Sequence, residues 1–142
     1  MIKRNIGYFV VVGLFSAGYT FSSIMDLFSV GPAHVTLAHL GYPAYVATIL
    51  GIWKAGAVVT LLAPRLPLLK EWAYAGIVFD LTGGLASHLF SGDPLPMPLM
   101  PVFFLSLAMT SYVLRPASRR LALPQSVEGA PVVPASRVPV AA

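Results

Sequence analysis

The stretch EWAYAGIVFDLTGGLASHLFSGD, residues 71–93, has the length and apolar character of a membrane-crossing helix, yet it carries Asp80 near its middle and His88 near its end. A lone Asp or Lys at the centre of a bilayer costs about 2.5–3.5 kcal/mol on insertion scales. Asp80 therefore needs a partner. The sequence before it offers one. Residues 63–67, APRLP, read as the turn of a helical hairpin, and Lys54 precedes Pro67 by as many residues as separate Pro67 from Asp80. In an antiparallel hairpin, mirrored positions share a depth. At about 1.5 Å per residue, that depth is roughly 15 Å from a membrane face. An inward-facing Lys54–Asp80 pair is the expectation, serving either helix packing or a polar ligand.

Composition agrees with a membrane setting. The chain has 142 residues, 57% apolar and 10% charged, against about 25% charged in soluble domains. Mean hydropathy is +0.80. Cysteine is absent, which excludes disulfides, thiol exchange and cysteine-bound metal. About 20 apolar residues cross the hydrocarbon core as a helix. Four stretches meet that need, at about 6–25, 44–62, 71–90 and 95–114. The predicted fold class is all-α, an integral membrane four-helix bundle over residues 1–115.

Basic residues orient it. Lys3 and Arg4 precede the first span, Arg65 and Lys70 join the second to the third, and Arg115, Arg119 and Arg120 follow the fourth. The remaining loops lack Lys and Arg. By the positive-inside rule both termini are cytoplasmic, in the inner membrane of a bacterium. Trp72, Tyr74, Tyr42, Tyr45 and Tyr112 fall near span ends, where interfacial aromatics collect. Residues 116–142, rich in Pro, Ala, Val and Ser, read as a disordered cytoplasmic tail. The basic, apolar N-terminus resembles a signal peptide, but its apolar run is long and no clear cleavage site follows, so an uncleaved first span is expected.

Gly76, Asp80, Gly83, Gly84 and Ser87 share one face of the third span, and small residues let helices approach closely. Gly51, Ala55 and Gly56 flank Lys54. Gly13, Ser16, Thr20 and Ser23 give the first span a matching inner face. Glu71 opens the third span, where a carboxylate complements the helix dipole as a cytoplasmic-end cap.

Polar groups also gather toward the outer end. Asp26 closes the first span, His34 and His39 lie in the loop GPAHVTLAHLGYP (31–43), and His88 and Asp93 close the third. Pro32 suits a helix start and Gly41 a helix stop, so a short interfacial helix is expected between them. Prolines at 94, 96, 98 and 101 predict a regular fourth helix only from about Pro101. The irregular segment before it would line a pocket with Asp26, His39, His88 and Asp93. The two loop histidines lie on different helix faces, and no metal or haem site is expected.

The runs LGYPAY (40–45), LGIWKAG (50–56), LLAPRLPLLKEWAYAGIVFDLTGGLASHLFSGD (61–93) and SYVLRP (111–116) together resemble the DoxX-like family of small bacterial membrane proteins. The matching positions are Gly41, Tyr42, Pro43, Lys54, Gly56, Pro64, Lys70, Glu71, Trp72, Tyr74, Gly76, Ser87, His88, Gly92 and Asp93. The resemblance implies four membrane helices. Because the family takes its name from a subunit tied to a quinone-linked oxidase, it also implies an accessory place in a membrane redox assembly. It supplies no catalytic residues.

Three functions follow. The first is that accessory subunit, with a quinone near Lys54 and His88, and with a membrane oxidoreductase subunit or further copies of the chain as partner. The second is a small proton-coupled transporter or binder of an apolar solute centred on Asp80. The third is a structural or assembly factor. Independent catalysis is not expected, since nucleophile–base pairs and phosphate loops are missing. Nucleic-acid binding is not expected either, because topology accounts for the basic residues.

Overall fold

The computed structural model describes residues 2–121, without the side chains of 2–4, 33 and 34. Its elements are α1 (Ile2–Phe28), α2 (Gly31–His39), α3 (Ala44–Leu62), α4 (Pro67–Phe90), α5 (Pro96–Leu114) and a 3-10 turn, Ala117–Arg119. Three helical segments are long and apolar enough to cross a membrane: Asn5–Phe28, Ala44–Leu62 and Pro96–Leu114. The 24-residue α4 is longer than α3 and α5 but more polar, with Lys70, Glu71, Asp80 and His88 along it.

The four long helices touch in the cyclic order α1, α3, α4, α5, and α2 lies against α1 and α3. Helical periodicity explains the core. Tyr8, Val12, Phe15 and Tyr19 of α1 recur at three- and four-residue spacing and pack with Val58, Leu61, Tyr74, Ile77, Leu81 and Ala108. Outside this core the surface is strongly apolar. Trp53, Phe79 and Phe90 are 73%, 76% and 93% exposed, a surface suited to lipid rather than water.

The buried edge of α4 is Lys70, Tyr74, Ile77, Leu81 and His88. It is not the small-residue face predicted from Gly76, Gly83 and Gly84. A Cβ added at any of those three glycines meets open space. Close approach occurs instead at Gly51, where a Cβ would lie 2.7 Å from Leu27 Cγ and 3.0 Å from its backbone nitrogen. On α1, Ser16 and Ser23 are buried, while Gly13 and Thr20 are exposed. Ser23 donates to the Gly51 carbonyl at 2.7 Å, fixing α1 against α3. Tyr74 is buried and bonded to Ser111 Oγ at 2.9 Å, so it belongs to the core and not to an interfacial belt.

The fourth helix is regular from Pro96, earlier than expected, with Pro101 inside it. Pro96 and Pro98 fall in the first turn, where backbone N–H groups have no helical acceptor, so their missing donors cost nothing there. Helix α2 falls between Pro32 and Gly41 as predicted. It ends in a Schellman motif: Gly41, at φ 81°, donates to the Ala38 carbonyl and Tyr42 to that of Leu37. The same motif ends α4, with Gly92 at φ 69° and Asp93 bonded back to the His88 carbonyl at 3.1 Å.

At the opposite end, cations close the structure. Lys70 Nζ donates to the carbonyls of Thr60, Leu61 and Ala63, the last turn of α3. Arg119 adds bonds to the Leu61 carbonyl at 2.9 Å and Tyr8 Oη at 3.4 Å. The start of the expected tail is therefore docked. The rest of that tail, from 122, lies outside the described residues. Because α4 begins at Pro67, Glu71 falls beyond its first turn and caps nothing. Glu71 instead meets Arg115 at 2.8 Å and Tyr112 at 3.0 Å. Arg115 lies over the Tyr112 ring, 4.0 Å from its centroid.

Candidate functional site

Lys54 sits at the meeting point of α1, α3 and α4. Its Nζ donates to Asp26 Oδ2 at 2.8 Å and to Ser22 Oγ at 3.2 Å. Asp80 Oδ2 lies 3.9 Å away and accepts a 2.6 Å bond from the Tyr19 hydroxyl. The mirrored depth of Lys54 and Asp80 thus brings them within ion-pair range, but the direct hydrogen bond goes to Asp26. Asp26, assigned by sequence to the outer pocket, is 1% exposed. The Lys54 ammonium is also 5.7 Å from the centroid of the Tyr19 ring.

Tyr19, Ser22 and Asp26 join the expected Lys54–Asp80 pair, and Asp26 is the closer of the two carboxylates to Lys54. A signal existed. Tyr19, Ser22, Ser23 and Asp26 recur at i, i+3, i+4 and i+7, the spacing of one helix face. Read on hydroxyls and glycines alone, α1 gave a face displaced from the real one. With Asp26 included, the pattern points at Lys54.

Two cavities meet at this centre. An outer cleft of about 370 Å³ is lined by Ser22, Asp26, Lys54, Asp80, Ser87 and His88, with Thr36, Leu37, Leu40 and Tyr42 contributed by α2 and the turn after it. A larger groove of about 760 Å³ runs between α3 and α4. Its walls are mainly apolar, with Ile49, Ile52, Trp53, Trp72, Gly76 and Ile77 among them, and its polar end is Tyr19, Lys54 and Asp80. Leu50, Lys54, Phe79 and Asp80 border both cavities. The glycines of α4 find their place here. Gly83 and Gly84 line the outer cleft and Gly76 the lateral groove. Lacking side chains, they leave the cavities room.

The other candidate outer residues form a second cluster. Asp93 Oδ1 lies 2.7 Å from His39 Nε2, and its Oδ2 lies 2.7 Å from His88 Nδ1. Beside it, the Tyr42 hydroxyl and Ser87 Oγ are 2.7 Å apart. The hydrogen bond from His88, then that from His39, holds the Asp93 carboxyl below the usual carboxylate range. Of the four expected pocket residues, Asp26 and His88 line the cleft, and His39 and Asp93 fasten α2 to the end of α4. His34 lies outside the described side chains. Among the described residues, no group of three or more His, Asp or Glu is arranged to hold a metal ion.

Chemically, the centre offers an ammonium donor, two carboxylates and a phenol at the inner end of an apolar groove. That set can orient a carbonyl or similar acceptor on a lipid-soluble molecule.

The chain matches the pattern of the DoxX-like family over residues 10–111, and it belongs to that family. This range holds Tyr19, Asp26, Lys54, Asp80, His88 and Asp93. No curated protein and no solved structure matches the chain.

Proposed function

We propose that this DoxX-like protein crosses the bacterial cytoplasmic membrane four times, with both termini cytoplasmic, and serves a quinone-linked redox assembly as an accessory subunit. On this reading α4 is the third span. Its polar residues support that assignment because each has a protein partner: Lys70 at α3, Glu71 at Arg115, Asp80 at Tyr19 and Lys54, and His88 at Asp93. Paired polar groups lower the cost of crossing. The loop and terminal cations Lys70, Arg115 and Arg119 gather at one end of the fold, the distribution the positive-inside rule associates with the cytoplasmic side.

One observation carries the ligand class. The lateral groove has apolar walls and ends on Lys54. A quinone has that character, a flat apolar body with carbonyl acceptors. Its ring would lie among Trp53, Trp72, Phe79 and Ile77, and Lys54 would donate to one carbonyl. Lys54 has three donors, and two engage Ser22 and Asp26. The third supports an incoming acceptor.

Purification in mild detergent, followed by extraction and mass spectrometry, tests the reading. A near-stoichiometric quinone that is lost in a folded Lys54→Met/Asp26→Asn variant supports it. Phospholipid alone, from protein that retains its fold, sinks it and leaves transport or assembly roles in its place.

A further inference from the structure

The Lys54 centre has two approaches of different chemistry. The lateral groove faces the apolar surface between α3 and α4. The outer cleft runs instead beneath α2 and is lined by Ser22, Ser87, His88 and Tyr42 as well as by the centre itself. We propose that α2 is a lid over a water-accessible entrance to this centre, latched shut by Asp93.

Three features of α2 fit a lid. It is short, at nine residues, and it carries no acidic or basic side chain besides its histidines. Positive φ occurs at both ends, at Ser29 just before it, at its first residue Gly31 and at Gly41 after it, so its ends are turns and not continuations of α1 or α3. Its inner side, Thr36, Leu37 and Leu40, roofs the cleft. What fastens it to α4 lies at its C-terminal end: His39 on Asp93, and Tyr42 on Ser87. Asp93 is the keystone because one carboxylate serves two histidines. His88 holds it from α4, and the Schellman motif at Gly92 fixes its backbone, so its remaining oxygen faces α2.

The latch is weak enough to open. The His39 side chain is 54% exposed and the Tyr42–Ser87 bond is also exposed, so water competes for both. Among the described residues, the buried core cluster comes from the long helices alone. Elements with few buried apolar contacts and solvent-exposed polar bonds are those that open at low free-energy cost.

The inference rests on the reading of the Lys54 centre as a ligand site, and its test separates the two. The natural chain has no cysteine, so a single introduced thiol reports one place. Gly84→Cys puts a thiol in the outer cleft and Gly76→Cys one in the lateral groove, each where a Cβ meets open space. Full-length protein in sealed vesicles is treated with a charged, membrane-impermeant thiol reagent on the outer side. The lid predicts slow modification of Gly84→Cys, accelerated about tenfold by adding His39→Ala, the factor expected for losing one charge-assisted hydrogen bond. Gly76→Cys should react slowly and show no change with His39→Ala. A Gly84→Cys rate that is the same with and without His39→Ala overturns the latch. A thiol there that never reacts from the outer side overturns the entrance. Copurified ligand plays no part in these rates. A His39 effect in protein without quinone leaves the lid standing and removes only the ligand reading.

Discussion

Lys54 and Lys70 are both withdrawn from water, and they are held in opposite ways. Lys70 is fully buried and donates to three backbone carbonyls at the end of α3. Lys54 is held by two carboxylates and a serine, with a cavity on either side. Lys70 completes a helix terminus, whose last carbonyls have no partner within the helix. Its donors are all consumed by the fold. Lys54 satisfies no backbone group. Among the described residues, the acids around it pair with no other cation, and its surroundings leave space for another molecule. Burial of a charge therefore does not by itself mark a site. What the charge is paired with, and whether space adjoins it, separates a helix cap such as Lys70 from the candidate centre at Lys54.

The sharpest way to break this contrast is to remove Lys54 alone. Lys54→Met leaves Asp26 buried beside Asp80 without a cation, and the expected loss is about 3–5 kcal/mol of stability. Adding Asp26→Asn should restore most of it. Unfolding midpoints in detergent read both variants. A double variant as unstable as the single one would show that the pairing of Asp26 with Lys54 is not what stabilises this region.

Lys70→Met is expected to cost somewhat less, about 2–4 kcal/mol, by stripping donors from the end of α3. Arg119 keeps one of those carbonyls satisfied. On the proposed quinone reading, the quinone retained per folded molecule should not change. If it falls as far as in the Lys54 variants, the two lysines do not differ in kind.

The smallest effect concerns Asp93. Its carboxyl lies below the ordinary range because His88 and His39 hydrogen-bond to it. A depressed carboxylate adds stability that is fully present above its unfolded value, about 3.9, and is lost as pH falls through the folded value. Modification of Gly84→Cys should thus gain no contribution from Asp93 titration between neutrality and about pH 4. Below that it should quicken as the latch releases, with the rate corrected for reagent chemistry. Asp93→Asn should remove the acid step. An acid step that survives in Asp93→Asn assigns it to another group.

Much of the fold was legible because it depends on local pattern. Apolar length marked out α1, α3 and α5. Pro32 and Gly41 bracketed α2, whose ends obey turn geometry that neighbours scarcely influence. The pairing cost of a charge in hydrocarbon links Lys54 with Asp80 from sequence alone, since mirrored positions in a hairpin share depth. The Asp26 bond was not legible, because rotation of α1 against α3 is set by Ser23 packing at Gly51 across the interface. The glycines of α4 carried an ambiguous signal. A small residue allows either a close helix or an empty space, and only the neighbouring helices decide which.

By itself, then, the sequence determined an all-helical chain with membrane-length apolar segments and DoxX-like membership over 10–111. These follow from composition, spacing and local chain geometry, which each segment carries alone. Tertiary structure decided that Asp26 answers Lys54, that Glu71 meets Arg115, that Asp93 joins two histidines, and that two cavities converge on one ammonium. Each depends on the rotation and depth at which separate helices meet. Those are set by packing between residues far apart in the chain, which local pattern does not encode.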